Sequence, residues 1–250
     1  MTRIKLYLTT LLFFLTLTGR WSYAIDNSFK ISSFFQVASN DNFDFDGDGR
    51  PGNRQGGSSR GNCPPTQPTL TALIPEKNLG LSTKEHPTFW FYIPYNSTDI
   101  PEAELMLLDE NQRPVLEKPM KVQLSGTPGI VGVTLPSTAK PLELEQEYHW
   151  FFELNCDSEN PSNNPRVDGW IKRVKPSSQL MNQLEHNQIK PRYLVYIENG
   201  IWYDALTNLI GMMRVNASDS TLKNDWSNLL ESVELKELLE TSITDCCSVK

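Results

Sequence analysis

The chain has 250 residues, with 23 Lys+Arg against 30 Asp+Glu and a formal net charge of −7. That acidic balance argues against nucleic acid or an anionic membrane surface as the main partner, since both attract cations. The length suits one large or two small domains.

The first residues have the marks of an export signal. Arg3 and Lys5 precede an apolar run at 6–17 (LYLTTLLFFLTL), and Ser22-Tyr23-Ala24 places small residues at the two positions a signal peptidase reads. The run is shorter than the roughly 20 apolar residues a spanning helix needs. No cysteine follows it directly, which argues against a lipoprotein anchor. The expectation is a signal peptide at 1–24, cleaved after Ala24, and an exported chain with no later transmembrane span, resident in the periplasm or at the cell surface. Cleavage removes Arg3, Lys5 and Arg20 and no acid, leaving 20 Lys+Arg against 30 Asp+Glu and a net charge of −10.

Residues 25–68 read as a disordered arm. From 40 onward it is rich in Asp, Gly, Asn, Arg, Ser and Pro, and it buries too little to offset its ordering entropy. Within it, Asp44-Phe45-Asp46-Gly47-Asp48-Gly49 matches the opening of a calcium loop, with carboxylates at alternate positions and glycine at the turn. Pro51 then stands at position eight and Gly52 at the ligand position nine, and Gln55 stands where a bidentate Glu belongs. The ligand set is incomplete and no metal site is assigned; a calcium-dependent adhesion protein is the third-ranked reading. Gly57-Ser58-Ser59-Arg60-Gly61 has the spacing of a nucleophile elbow. That motif requires a strand before it and a helix after it, and Cys63-Pro64-Pro65 follows instead.

From residue 69 the texture changes to short apolar or alternating runs bounded by Pro, Gly, Asn or Asp: 69–74, 88–93, 103–108, 120–124, 130–135, 148–156 and 167–174. Seven short strands with turn signals between them predict an immunoglobulin-like antiparallel β-sandwich over 69–176. The sharpest run is Tyr148-His149-Trp150-Phe151-Phe152-Glu153-Leu154-Asn155-Cys156. Period two puts Tyr148, Trp150, Phe152, Leu154 and Cys156 on one face, and a mixed set of His149, Phe151, Glu153 and Asn155 on the other. Leu142 stands six residues before Tyr148, an approach similar to the tyrosine corner of immunoglobulin-like domains.

After Pro176 the period becomes helical. Ser177 or Ser178 caps a first helix through Leu180, Met181 and Leu184, and Pro191 opens a second. Ile201, Trp202, Ala205, Leu206, Leu209, Ile210 and Met213 form a stripe at helical spacing, and Asp219 starts another helix with Leu222, Trp226, Leu229 and Leu230. Tyr196, Gly200, Trp202 and Ala205 have the spacing of a tetratricopeptide repeat, although Ala217 replaces its closing proline. The region 177–240 therefore reads as a small tetratricopeptide-like helical subdomain, followed by a disordered tail at 241–250. One repeat cannot bury its own face, so these helices either pack on the sandwich or await a partner.

Chemistry-bearing residues are sparse. His86, His149 and His186 lack a second ligand or base at useful spacing, and a metal site needs three or four clustered ligands. No cofactor, metal or catalytic residue is assigned, and the expectation is that the chain is not an enzyme. Cys63, Cys156, Cys246 and Cys247 allow three pairings. Cys63 with Cys156 is the favoured bridge, because Cys246 and Cys247 are adjacent and a vicinal bridge is strained; both thiols of the first pair staying reduced is the alternative. The role of Cys246 and Cys247 is left open. Aromatics on both faces of Phe89-Trp90-Phe91-Tyr92, together with Trp202 and Trp226, give Trp90, Trp202 and Trp226 as the candidate interaction surface, since tryptophan anchors binding faces.

Several of these stretches together resemble one family. They are Gly49-Arg50-Pro51-Gly52-Asn53-Arg54, Arg60-Gly61-Asn62-Cys63-Pro64, Pro87-Thr88-Phe89-Trp90-Phe91-Tyr92, Gly126-Thr127-Pro128-Gly129-Ile130, Gly169-Trp170 and Glu198-Asn199-Gly200-Ile201-Trp202-Tyr203-Asp204. Over about residues 49–240 the chain resembles the domain of unknown function 928 family of exported cyanobacterial proteins. The resemblance implies no activity, ligand or site, but it supports pairing Cys63 with Cys156. The resulting expectation is a non-catalytic protein-interaction module of the cell envelope, with an envelope protein or polysaccharide as partner; the alternative is a carbohydrate-binding β-sandwich.

Overall fold

The computed structural model describes residues 49–56, 63–186 and 190–249, all within one compact unit, Ile31–Lys250. The expected signal peptide, the aspartates of the calcium-like stretch and the Gly57–Gly61 motif lie outside the described residues. Among those described, no helix is long and apolar enough to cross a membrane.

Among the described residues, nine strands and four α-helices make up the fold. The strands are β1 (Thr71–Ala72), β2 (Leu79–Ser82), β3 (Thr88–Ile93), β4 (Glu102–Leu108), β5 (Met120–Gln123), β6 (Gly129–Thr134), β7 (Glu147–Leu154), β8 (Arg166–Arg173) and β9 (Ser248–Val249). The helices are α1 (Ser178–His186), α2 (Arg192–Glu198), α3 (Trp202–Val215) and α4 (Ser220–Ser232). One sheet has the order β1-β3-β6 and the other β2-β8-β7-β4-β5-β9. Neighbours are antiparallel except β2, which runs parallel to β8.

Alternation builds the space between the sheets. In β7 the residues Tyr148, Trp150, Phe152 and Leu154 are buried while their neighbours are half-exposed, and β4 buries Ala103, Leu105 and Leu107 in the same way. Phe89, Phe91 and Ile93 of β3 meet them from the other sheet. Phe91 stacks on Phe152 with ring centroids 3.9 Å apart, and Phe89 lies 5.9 Å from Trp150. Each such side chain contributes about 1.5–3 kcal/mol by leaving water, so this layer is the main stabilising element of the β region. Just before β7, the Glu143 amide donates to the Tyr148 hydroxyl at 2.8 Å.

The seven expected strands are all present, and β2 is an eighth in that region. Leu79-Gly80-Leu81-Ser82 is short, and its partner β8 is distant in sequence, so local pattern does not reveal it. Gly80 is required there, because a Cβ would come within 2.8 Å of the Tyr203 ring.

The helices pack on the sheets. From α3, the Trp202 indole donates to the Leu73 carbonyl at 3.0 Å. The Tyr203 hydroxyl accepts from the Trp150 indole at 2.9 Å and donates to the Trp170 carbonyl at 3.2 Å. The buried Asp204 carboxylate accepts from the Ser82 hydroxyl at 2.7 Å, and from the Thr83 amide and hydroxyl at 3.0 and 2.6 Å. Helix α4 is capped by Asp219, which accepts from the Thr221 amide at 2.8 Å.

Parts of both expected disordered segments are bonded to this frame. In the arm, the Arg50 amide donates to Lys77, the Ala72 amide to Arg54, and the Gly56 amide to Leu70, each at 2.7 Å. Backbone bonding here replaces the apolar burial that the segment lacks. In the tail, Ile243 bridges to Ile130 and β9 pairs with β5, because the edges of both sheets offer ladder groups there.

Candidate functional site

The alternation that buries Tyr148, Trp150 and Phe152 turns the other set outward. On the outer face of the six-stranded sheet the register aligns Met106 with Phe151 and Asp168, and Leu108 with His149 and Trp170. Glu104, Glu153 and Arg166 form the next row. Met106, Leu108, His149, Phe151 and Trp170 are all half-buried, making an apolar and aromatic stripe bordered by charge.

His149 is the centre of that stripe. Its ring stacks on Trp170 at 4.3 Å with an interplanar angle of 8°, and lies 4.1 Å from the Phe151 ring. Its Nε2 is 2.8 Å from the Asp168 carboxylate. The Arg166 guanidinium lies 5.5 Å over the Phe151 ring, a cation–π contact. The arm flanks the stripe as a strap. The Trp170 indole donates to the Pro51 carbonyl at 2.9 Å, the Asn53 amide to Asp168 at 3.1 Å, and the Asp168 amide back to the Asn53 carbonyl at 2.9 Å. Arg50 grips both carboxylate oxygens of Glu147 at 2.7 and 2.8 Å. On β5, the Lys121 ammonium lies 3.1 Å from Glu102 of β4, and that hydrogen bond raises its pKa.

Chemically, this face suits contact. His149 has Nε2 engaged by Asp168 and rings beside it, so the pair orients a stacked surface. Among the described residues no group of three or more His, Cys, Asp or Glu is placed to hold a metal ion. His86 and His186 lie beside the Ala139 and Asn182 carbonyls, at 3.1 and 3.3 Å.

Cys63 and Cys156 form a disulfide with Cα atoms 5.7 Å apart. That is the expected bridge; Cys246 and Cys247 are bridged as well, although a vicinal pairing was the disfavoured one. The three tryptophans expected on an interaction surface are core residues: Trp90 is 4 % exposed, Trp202 0 % and Trp226 4 %. Trp90 does point outward from β3, but α3 covers it. Its indole donates to Thr207 at 3.0 Å, and the Arg214 guanidinium lies 5.5 Å over its ring. Met106, Leu108 and Trp170 escaped the sequence reading. The outward parity of β4 and β8, fixed by Leu105, Leu107, Val167 and Ile171 inside, was the available signal.

Residues 55–243 match the family described as Domain of Unknown Function (DUF928), and the chain belongs to that family. No curated protein and no solved structure matches it.

Proposed function

We propose that this chain is a non-catalytic protein-interaction module of the cell envelope, exported to the periplasm or cell surface, which docks a protein partner on the outer face of β4, β7 and β8. The carrying observation is the half-exposed stripe of Met106, Leu108, His149, Phe151 and Trp170. Aromatic and methionine side chains within a charged rim are the composition of binding patches, and this one lies apart from α3, which packs on β2 and β3. The stacked His149–Trp170 pair and the strap make it rigid, which lowers the entropy lost on docking.

An immunoglobulin-like reading of the β layers supports the same role. The orders β1-β3-β6 and β2-β8-β7-β4-β5, the parallel β2–β8 pair and the Tyr148 hydroxyl bond to the Glu143 amide agree with it. The spacing of Tyr196, Gly200, Trp202 and Ala205 across the packed α2–α3 pair agrees with a tetratricopeptide-like hairpin used as a cap.

A second reading, carbohydrate binding, rests on the near-parallel Trp170 and His149 rings on the sheet face, a geometry on which a sugar ring can stack. Crosslinking the tagged chain in native envelope separates the two. Recovery of one dominant protein supports the first reading. Recovery of polysaccharide alone, lost on Trp170→Ala, supports the second and overturns the first.

A further inference from the structure

The C-terminal segment ties together two sheet edges that lie on opposite layers. On the three-stranded sheet the Ile130 amide donates to the Ser242 carbonyl at 2.8 Å, and the Thr244 amide donates to the Ile130 carbonyl at 2.9 Å. Arg214 holds the same stretch from α3, donating to the Thr244 carbonyl at 2.9 Å and pairing with Asp245 at 3.2 Å. A few residues later Ser248 and Val249 pair with Gln123 and Val122 of the other sheet. Between the two anchors sit Cys246 and Cys247, bridged to each other, half-buried and packed against the core.

The local backbone records what this bridge demands. Cys247 has φ 137°, a region that residues with a Cβ rarely adopt. A bridge between neighbours also closes no loop of chain, so it lacks the entropic stabilisation available to Cys63–Cys156 with its separation of 93 residues. Cys246 and Cys247 are both half-exposed to an incoming thiol, whereas in the other bridge only Cys156 is half-exposed and Cys63 is 2 % exposed.

We infer that Cys246–Cys247 is a redox-sensitive clasp, a site for exchange with a dithiol reductant, whose reduction releases the C-terminal strap from the edges of β5 and β6. The chemistry is ordinary exchange. A thiolate of the dithiol attacks one Sγ, a mixed disulfide forms, and the other cysteine leaves as a thiolate and takes a proton. The second thiol of the dithiol then attacks the mixed disulfide. The protein gains two electrons and two protons, and the dithiol departs as its own disulfide. With the eight-membered ring opened, Cys247 relaxes to negative φ, which swings residues 248–249 away from β5 and unloads the bonds at Ile130.

The test is a titration of the folded, oxidised chain with dithiothreitol redox buffers. Free thiols are trapped by alkylation and mapped by mass spectrometry, while amide exchange is read at Ile130 and Thr244, with Trp170 as the control. The expected result is that Cys246 and Cys247 alkylate at about a tenfold lower ratio of reduced to oxidised reagent than Cys63 and Cys156, with exchange at Ile130 and Thr244 rising about tenfold and Trp170 unchanged. The double substitution Cys246→Ser, Cys247→Ser is expected to reproduce the faster exchange without any reductant. Simultaneous opening of both bridges, free Cys246 and Cys247 thiols in the oxidised chain, or unchanged exchange after either treatment would overturn the inference.

Discussion

The indole N–H of Trp150, at the centre of β7, donates to the hydroxyl of Tyr203 on α3, 2.9 Å away inside the protein. One hydroxyl thereby joins the middle of the β core to the helical layer, and it donates its own hydrogen bond to the Trp170 carbonyl on β8. Burial pushes the Tyr203 phenol far above its ordinary pKa, so it remains a donor at every working pH. Sheets and helices are consequently expected to unfold as one unit. Tyr203→Phe leaves a buried indole N–H without its acceptor and should cost about 1–3 kcal/mol. Denaturant unfolding followed by both circular dichroism and tryptophan fluorescence checks this. Coincident transitions at a lowered midpoint are expected, and a separate helical transition would refute the coupling.

Asp225 on α4 provides a pH signature. Its side chain is buried, and burial raises its carboxyl above the ordinary value, while a hydrogen bond from the Tyr193 hydroxyl acts the other way and only partly offsets it. A carboxyl with a raised folded pKa favours folding in its protonated form. Its contribution is full below the unfolded value of about 3.9 and is lost as pH rises through the folded value. Asp225→Asn keeps an oxygen for Tyr193 and removes the charge. Melting curves from acid towards neutral pH should show the wild type losing stability relative to this variant, and parallel curves would contradict that.

The strap at 49–56 depends on Gly52. A Cβ there would stand 2.0 Å from the Asn78 side-chain nitrogen and 2.5 Å from an Asp168 carboxylate oxygen, at φ +156°. Gly52→Ala is expected to lift the strap, destabilise the fold by about 1–3 kcal/mol and speed amide exchange at Arg50 and Asn53. Exchange mass spectrometry at those positions is the check, with unchanged protection as the contrary result.

The Cys63–Cys156 bridge closes a long loop, with a sequence separation of 93. On the chain-entropy model it contributes roughly 4–5 kcal/mol. Replacing both cysteines with serine should lower the denaturation midpoint accordingly, and a loss below about 1 kcal/mol would show that the unfolded chain is already constrained.

These elements differ in how far they were legible beforehand. The inward and outward faces of β7 follow directly from period-two alternation at Tyr148 to Leu154. Strand β2 was hidden because its parallel partner β8 lies about ninety residues away, and no local pattern encodes such a pairing. The tryptophans misled for a related reason. Strand parity places Trp90 outward, but only the tertiary course of α3 covers it. The arm and tail were read from their poverty in apolar residues, which is blind to backbone bonding such as Ala72 to Arg54. For the binding face, His149 and Phe151 were visible on the outward side of β7, whereas their neighbours Met106 and Trp170 became apparent only through register across three strands.

The most direct test of the proposed interaction face is a crosslinking pull-down from native envelope that compares the wild-type chain with Met106→Glu. Met106 is half-exposed on the stripe and aligned with Phe151, so a carboxylate there disrupts docking while the core is kept. The account predicts one dominant protein captured by the wild type and lost in the variant, with the two chains sharing a denaturation midpoint. Equal capture by both chains, or capture of no protein by the wild type, would contradict it.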